Sequence, residues 1–409
     1  MPPAGLPGVK VLKSRNLSIS LVVLGVLLQF LGYYTLARKI EPVMYQFYLV
    51  AWWSYIILID GVLGLKDGRR RVFGSGLPWL VTASAAFWCL FELLNLRLQN
   101  WFYINVPPEP AVRFPGYFLA FGTVIPAIWL TNELFLRILP EVKVGRLAPG
   151  RWQRYEVPMG LLWLALCLAF PTYLFGLAWG FLALVADGIN YRRGSPSFTG
   201  DLEAGRLKPM LAAVLSGLVC GGLWELWNYW SITKWVYTVP FFERLKLFEM
   251  PVLGYVGFAA FGIETMACVN LMEGWVRPGR RRLVAALCAL ALALGTFCLI
   301  DRYTVFSHTS PVSELFFIKE GTRVGLEARG IETSYAIDYR LLSERERQQL
   351  ALMNLRGLGL ENVRRLDEHG VRSIKELAAL DETQLSSILS GPNMRRVRIY
   401  LNAARAAAR

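Results

Sequence analysis

The chain has 409 residues, 55% of them hydrophobic, and a formal net charge of +14; this apolar share exceeds ordinary globular usage. Only two histidines occur, His308 and His369, both outside the apolar blocks, which excludes histidine-box oxygenases, bis-histidine haem ligation and an intramembrane Ser-His-Asp triad. The six cysteines, Cys89, Cys167, Cys220, Cys268, Cys288 and Cys298, fall inside apolar blocks without a CxxC pair, so neither a disulfide framework nor a zinc site is expected and no cofactor is predicted.

Before residue 304 the apolar residues form blocks long enough to cross a bilayer as helices, which takes about 20 residues each. Nine spans are expected, at roughly 17–37, 42–65, 77–98, 115–139, 153–170, 171–190, 208–230, 250–275 and 282–302. The first is too long for a signal-peptide core and lacks a convincing cleavage site. The uncharged stretch 157–186 exceeds one comfortable helix and contains Pro171; a hairpin with Pro171 opening its second helix is expected, because proline is tolerated in a first turn. Much of the positive charge lies in short loops: Lys66 with Arg69, Arg70 and Arg71; Arg192 and Arg193; and Arg277 with Arg280, Arg281 and Arg282. Such clusters hold loops in the cytoplasm. The N-terminus is therefore expected there, with the C-terminal domain on the opposite side of the membrane.

Four features recur in the same order. Pro42 leads to Trp52, Trp53 and Asp60-Gly61 as Pro171 leads to Trp179 and Asp187-Gly188. Phe91-Glu92 with Asn95 matches Trp224-Glu225 with Asn228, and Trp101-Phe-Tyr103 matches Trp235-Val-Tyr237. Gly116-Tyr117 with Phe121-Gly122 answers Gly254-Tyr255 with Phe261-Gly262. Each copy has four spans, so both share one orientation about an axis along the membrane normal.

Charged groups at membrane depth face the bundle interior and mark functional sites. Those within or at the ends of spans are Asp60, Glu92, Glu133, Asp187, Glu225 and Glu264. Glu92 with Asn95, and Glu225 with Asn228, each share a helix face by their i, i+3 spacing. A protonated carboxyl delivers a proton to a substrate; an ionised one stabilises a carbocation or takes a proton back. Glu92, Glu225 and Glu264 are the candidate catalytic residues. Asn95, Asn228, Trp101, Tyr103, Trp235, Tyr237, Asp60 and Asp187 are candidates for orienting or binding the substrate. The alternative for the Glu and Asn residues is to tie helices together, for Asp60 and Asp187 to pair with the loop arginines behind them, and for the aromatic residues to anchor at the membrane interface.

An aspartate ending one span, an acidic residue in the next, a Trp-x-Tyr loop and a following helix with a glutamate resemble the membrane-embedded lycopene cyclase domain and related carotenoid enzymes. The resemblance covers roughly residues 42–275. The Pro-x-Glu-Glu signature of that family is absent, and of its carboxylates only Glu264, in Phe261-Gly-Ile-Glu264, has a counterpart here. The resemblance implies redox-neutral, carboxylate-driven chemistry on an isoprenoid or other lipid.

From about residue 341 the composition turns to charged amphipathic helices. Leu355-Arg-Gly357-Leu-Gly359 followed by Val363 and Leu366, then Gly370 to Leu385, resembles a helix-hairpin-helix domain. In that domain type the glycines let backbone N–H groups approach a phosphate, and Arg395, Arg396 and Arg398 add a basic patch. Gly357 and Gly359 are therefore candidate phosphate contacts. The partner of such a domain is either DNA or another protein.

The expected fold class is all-α: a polytopic helical membrane protein of about nine spans with a duplicated four-helix unit, plus a small soluble helical domain. The expected divisions are 1–150 (first repeat), 151–303 (second repeat and ninth span), 304–340 (linker) and 341–409 (helix-hairpin-helix-like domain). The leading functional expectation is a membrane enzyme, of lycopene-cyclase-like isomerase or cyclase type, whose partner is a membrane lipid or isoprenoid substrate. The alternatives are a non-enzymatic transporter or docking platform, and a membrane-anchored nucleic-acid receptor.

Overall fold

In hydrocarbon each backbone N–H and C=O must be satisfied within its own segment, so charge-free runs of this length are dictated to be helices. The computed structural model describes residues 15–68, 71–74, 76–241, 245–276, 279–390 and 393–408. Of the loop arginines, Arg69, Arg70 and Arg277 lie outside the described residues. The membrane part begins with α1 (Arg15–Ala37), α2 (Phe47–Asp67), α3 (Leu77–Leu98) and strand β1 (Trp101–Ile104). It continues with α4 (Pro110–Phe121), α5 (Val124–Ile138), α6 (Gln153–Ala169), the single turn α7 (Pro171–Leu174) and α8 (Phe181–Arg192). After the short α9 (Phe198–Glu203) come α10 (Lys208–Trp230), β2 (Lys234–Tyr237), and the two-residue strands β3 (Lys246–Leu247) and β4 (Met250–Pro251). Helices α11 (Tyr255–Trp275) and α12 (Arg280–Tyr303) complete it.

Among the described residues, eight helical stretches are long and apolar enough to cross a membrane. The protein is an all-α, polytopic helical membrane protein. The stretch expected as the fifth span is the 17-residue α6, which runs antiparallel to α8: Gly160 lies against Phe181 and Leu184, and Gly188 against Glu156 and Val157. Residues 157–186 thus form a hairpin, with Pro171 at the first position of α7. Alternation of the helices puts the loops with Lys66, Arg71, Arg192 and Arg193 at one end of the bundle, and β1, β2 and the C-terminal domain at the other.

Two membrane stretches are broken, each for a visible reason. Between α4 and α5 the Ser84 hydroxyl donates to Phe121 O at 2.7 Å and accepts from Ile125 N at 3.0 Å, inserting a side chain into the helical ladder. Between α7 and α8 a 3₁₀ turn (Phe175–Trp179) and Gly180 interrupt the helix. In the second repeat α10 and α11 pack so closely at Gly217 and Gly262 that a Cβ on Gly217 would lie 2.8 Å from the backbone N of Gly262, the close approach that small residues permit.

The C-terminal domain is larger than the sequence suggests. Helices α13 (Glu320–Glu327), α14 (Glu344–Asn354), α15 (Leu360–Glu368), α16 (Ile374–Ala379), α17 (Glu382–Ile388) and α18 (Met394–Ala407) follow α12. Val312, Leu315, Ile318, Leu326 and Ile337 share one core with Leu350, Val363, Leu377, Leu385 and Leu401. Residues 304–340 are therefore not a linker: 312–337 belong to this core, and the preceding segment runs beside β1 through bridges Tyr103–Val305 and Val106–His308. The helix within this stretch, α13, is only eight residues long, too short for its period to separate it from a linker in the sequence. Capping boxes at Ser343/Glu346, Ser373/Glu376 and Asp381/Gln384 open α14, α16 and α17, each satisfying two otherwise orphaned amides.

Candidate functional site

The two Trp-x-Tyr segments are strands. β1 and β2 pair antiparallel, Trp101 opposite Tyr237, Phe102 opposite Val236 and Tyr103 opposite Trp235, so the pseudo-two-fold axis passes through the Phe102–Val236 pair. Side chains alternate across a strand. Phe102, Ile104 and Val236 face Ile399 and Phe306 on the C-terminal side, whereas Trp101, Tyr103, Trp235 and Tyr237 line a cavity on the membrane side. The ribbon is a partition between the two.

Asn95 and Asn228 fix its ends. Asn95 Oδ1 accepts from the amides of Asn100 (2.8 Å) and Trp101 (3.3 Å), and its Nδ2 donates to Trp101 O. Asn228 repeats this with Trp235 N and O, both at 3.0 Å. Neither asparagine lines the cavity. Their role is to hold the strands, not to touch a substrate, because backbone amides take up their polar atoms.

The three candidate glutamates are fully buried. Glu92 accepts from Trp88 Nε1 (2.8 Å), Trp101 Nε1 (3.1 Å) and Tyr103 OH (2.6 Å). Glu225 accepts from Tyr237 OH at 2.7 Å, while its Oε2 has no partner among the described residues. Glu264 has a different surrounding: its Oε1 accepts from Leu182 N at 2.9 Å, an orphan amide in the first turn of α8. It caps a broken helix from across the bundle, and its Oε2 is also unpartnered among the described residues. None of the three lines the cavity; aromatic side chains stand between them and it. A buried carboxyl needs its lone pairs met; indole and phenol donors meet those of Glu92, whereas Glu225 and Glu264 each keep one oxygen without a partner among the described residues.

The cavity, about 540 Å³, lies between the repeats beneath the ribbon. Its wall includes Trp88, Trp101, Trp163, Trp179, Trp224 and Trp235, with Tyr45, Tyr48, Tyr103, Tyr117 and Tyr237. Sequence reasoning missed most of these, although Trp88 stands four residues before Glu92 on the same helix face, a spacing that signals contact. Along the cavity margin Val112, Phe241, Leu253 and Val256 are exposed, forming an apolar rim. The charged residues of the wall are already engaged: Arg113 holds Asp301 through Nε (2.9 Å) and Nη2 (2.5 Å), and Lys234 holds Glu249 at 3.1 Å.

Asp60 and Asp187 sit at the far end of the bundle, away from the cavity. Asp60 accepts from the amides of Arg71 (2.8 Å), Val72 and Phe73, and Asp187 from those of Phe198 (2.7 Å) and Thr199 (2.9 Å). They tie down loops through backbone N–H groups rather than bind substrate. The loop arginine Arg71 pairs instead with Asp67 (2.6 Å) and Glu133 (3.6 Å).

The hairpin turn of the C-terminal domain points into the protein. Gly357 and Gly359 have φ of +64° and +82°, favoured by glycine. A Cβ on Gly357 would lie 2.5 Å from Ile104 Cβ, and one on Gly359 2.7 Å from Ser307 Cβ. The space a phosphate would need is filled by the ribbon and its neighbour. Arg356 in the same turn binds Glu249 at 2.6 Å. Burial alone would raise the pKa of Glu249, but Lys234 and Arg356 outweigh it and hold the carboxyl below its ordinary value. Arg396 stacks 3.4 Å over the Phe306 ring and Arg398 binds Glu382. Comparison with protein families, with characterised proteins and with solved structures finds no match to this chain.

Proposed function

We propose that this protein is an integral membrane enzyme acting on an isoprenoid, carotenoid or related apolar lipid by redox-neutral acid–base chemistry. The supporting observation is that one aromatic cavity is faced by two tyrosines, Tyr103 and Tyr237, each donating its hydroxyl proton to a buried glutamate. In this reading the carboxylates act through the phenols. Tyr237 O takes a proton from the substrate as its own proton passes to Glu225; the reverse delivers one. The indole and phenol faces stabilise positive charge developing on the chain between these steps. The apolar rim gives a lipid its entry without crossing water.

The test is the lipid profile of cells lacking the gene, complemented with wild type, Tyr237→Phe or Glu225→Gln at equal membrane levels. Both variants are expected to lower the conversion about 10²-fold or more; full complementation by both overturns the reading. A non-catalytic binding or transport role is favoured by one observation, that no glutamate among the described residues lines the cavity wall. It predicts bound lipid and an unchanged lipid profile in the deletion strain. The nucleic-acid receptor loses its support, since Gly357, Gly359, Arg356 and Arg398 are engaged within the chain.

A further inference from the structure

The apolar rim of the cavity draws on both repeats, Val112 coming from α4 and Val256 from α11. A cavity between two packed units changes width when the units shift against one another. At the ribbon end, the C-terminal domain touches both units. In the first repeat it grips the connection between α1 and α2. Residues 332–334 pair with 310–312, through Val312 N to Glu332 O at 2.8 Å and Ser334 N to Ser310 O at 3.0 Å, and Val312 belongs to the core of the domain. Glu41 accepts from Thr333 Oγ1 and from Glu332 N, the latter at 3.0 Å. With its proton given to Glu41, the Thr333 hydroxyl accepts in turn from Tyr45 OH. Tyr45 lines the cavity.

In the second repeat the grip is ionic. Arg356 donates to both oxygens of Glu249, at 2.7 and 2.6 Å, and Glu249 holds Lys234 at 3.1 Å. Lys234 lines the cavity. Between these two places Asn105 Nδ2 donates to Tyr335 OH at 2.7 Å and to Ile232 O at 3.1 Å, while Thr233 Oγ1 donates to Asn105 O at 2.8 Å. Thr233 is again a wall residue. Tyr45 is thus tied to the C-terminal domain directly, and Lys234 and Thr233 through one intervening side chain each.

We propose that the C-terminal domain is a clamp across the two repeats, and that a lipid enters and leaves the cavity only when the clamp is released. The docked domain fixes the spacing of the repeats by charge-assisted bonds on both sides, Thr333 to Glu41 and Arg356 to Glu249. Exchange of a ligand then follows the population of the released state, as it does behind other lids. The inference rests on the reading that the cavity takes an apolar lipid, and it gives the C-terminal domain a part in the site.

The test uses the full-length protein in detergent, with quenching of tryptophan fluorescence by retinol reporting occupancy of the cavity. Limited proteolysis of the same samples measures release of the domain, because cleavage tracks the population of the open form. Arg356→Gln and Thr333→Val each remove one grip and are expected to speed proteolysis about tenfold. Association and dissociation of retinol should quicken by the same factor and leave Kd nearly unchanged, since docking is weakened equally with and without the ligand. Arg398→Gln, whose partner Glu382 lies within the domain, should change neither rate. A higher Kd at an unchanged association rate would show that these contacts only shape the wall, and overturns the clamp. Faster proteolysis with unchanged exchange overturns it as well, and so does a lack of effect on either rate in both variants. Each of those outcomes leaves the apolar-ligand reading standing, whereas failure of the wild type to bind retinol overturns both.

Discussion

The two repeats use the same residues to different ends. In the first, Glu92 is enclosed by three side-chain donors; in the second, at the same offset, Trp88 is replaced by Gly221, and Glu225 keeps one side-chain donor, with its Oε2 unpartnered among the described residues. Ser84, which fills the helix break of the first repeat, is replaced by Gly217, which lets α10 and α11 close together. Val124 gives way to Glu264, and the break moves from the fourth helix of the unit to the second. At the matched glutamates the first copy satisfies its carboxyl, and the second leaves a carboxyl oxygen without a partner among the described residues.

The contrast is open to measurement. Glu92→Leu strands three buried donors and is expected to cost about 3 kcal/mol or more, whereas Glu225→Leu strands one and removes an unpartnered oxygen, costing about 1 kcal/mol. Thermal unfolding in detergent that ranks them the other way breaks the comparison. Glu264→Leu removes the cap of α8 at an expected cost of about 2 kcal/mol, and Glu264→Gln, which keeps an acceptor, should recover most of it; equal losses would deny the capping role. The smallest effect concerns docking of the C-terminal domain. Because the docked Glu249 carboxyl titrates below its ordinary value, its contribution is complete above about pH 4.5 and is lost as pH falls through the lowered value. Limited proteolysis should release the domain more readily at pH 3.5 than at pH 6, and Glu249→Gln should flatten that dependence.

Much of the membrane part was legible in the sequence because its signals are long. Apolar runs gave the spans, and four recurring features gave the duplication. The ribbon was missed although its period was present: Trp101-Phe-Tyr103-Ile and Trp235-Val-Tyr237 alternate as strands do, but four residues are too few to separate from a loop. The bond from Leu182 to Glu264 joins residues 82 positions apart, and no local pattern announces it. The glutamates were rightly found as buried polar groups. Which side chains face the cavity depends on strand direction and helix rotation, and neither is written in spacing alone.

The ribbon register has an implication for ancestry. Under exchange of the two copies the pair Trp101–Tyr237 becomes Trp235–Tyr103, which is the other pair observed. The contact is self-complementary, the hallmark of a two-fold homodimer. A lone four-helix unit bearing this strand has the edge needed to close on its own twin, and fusing two such genes would then free each half to drift.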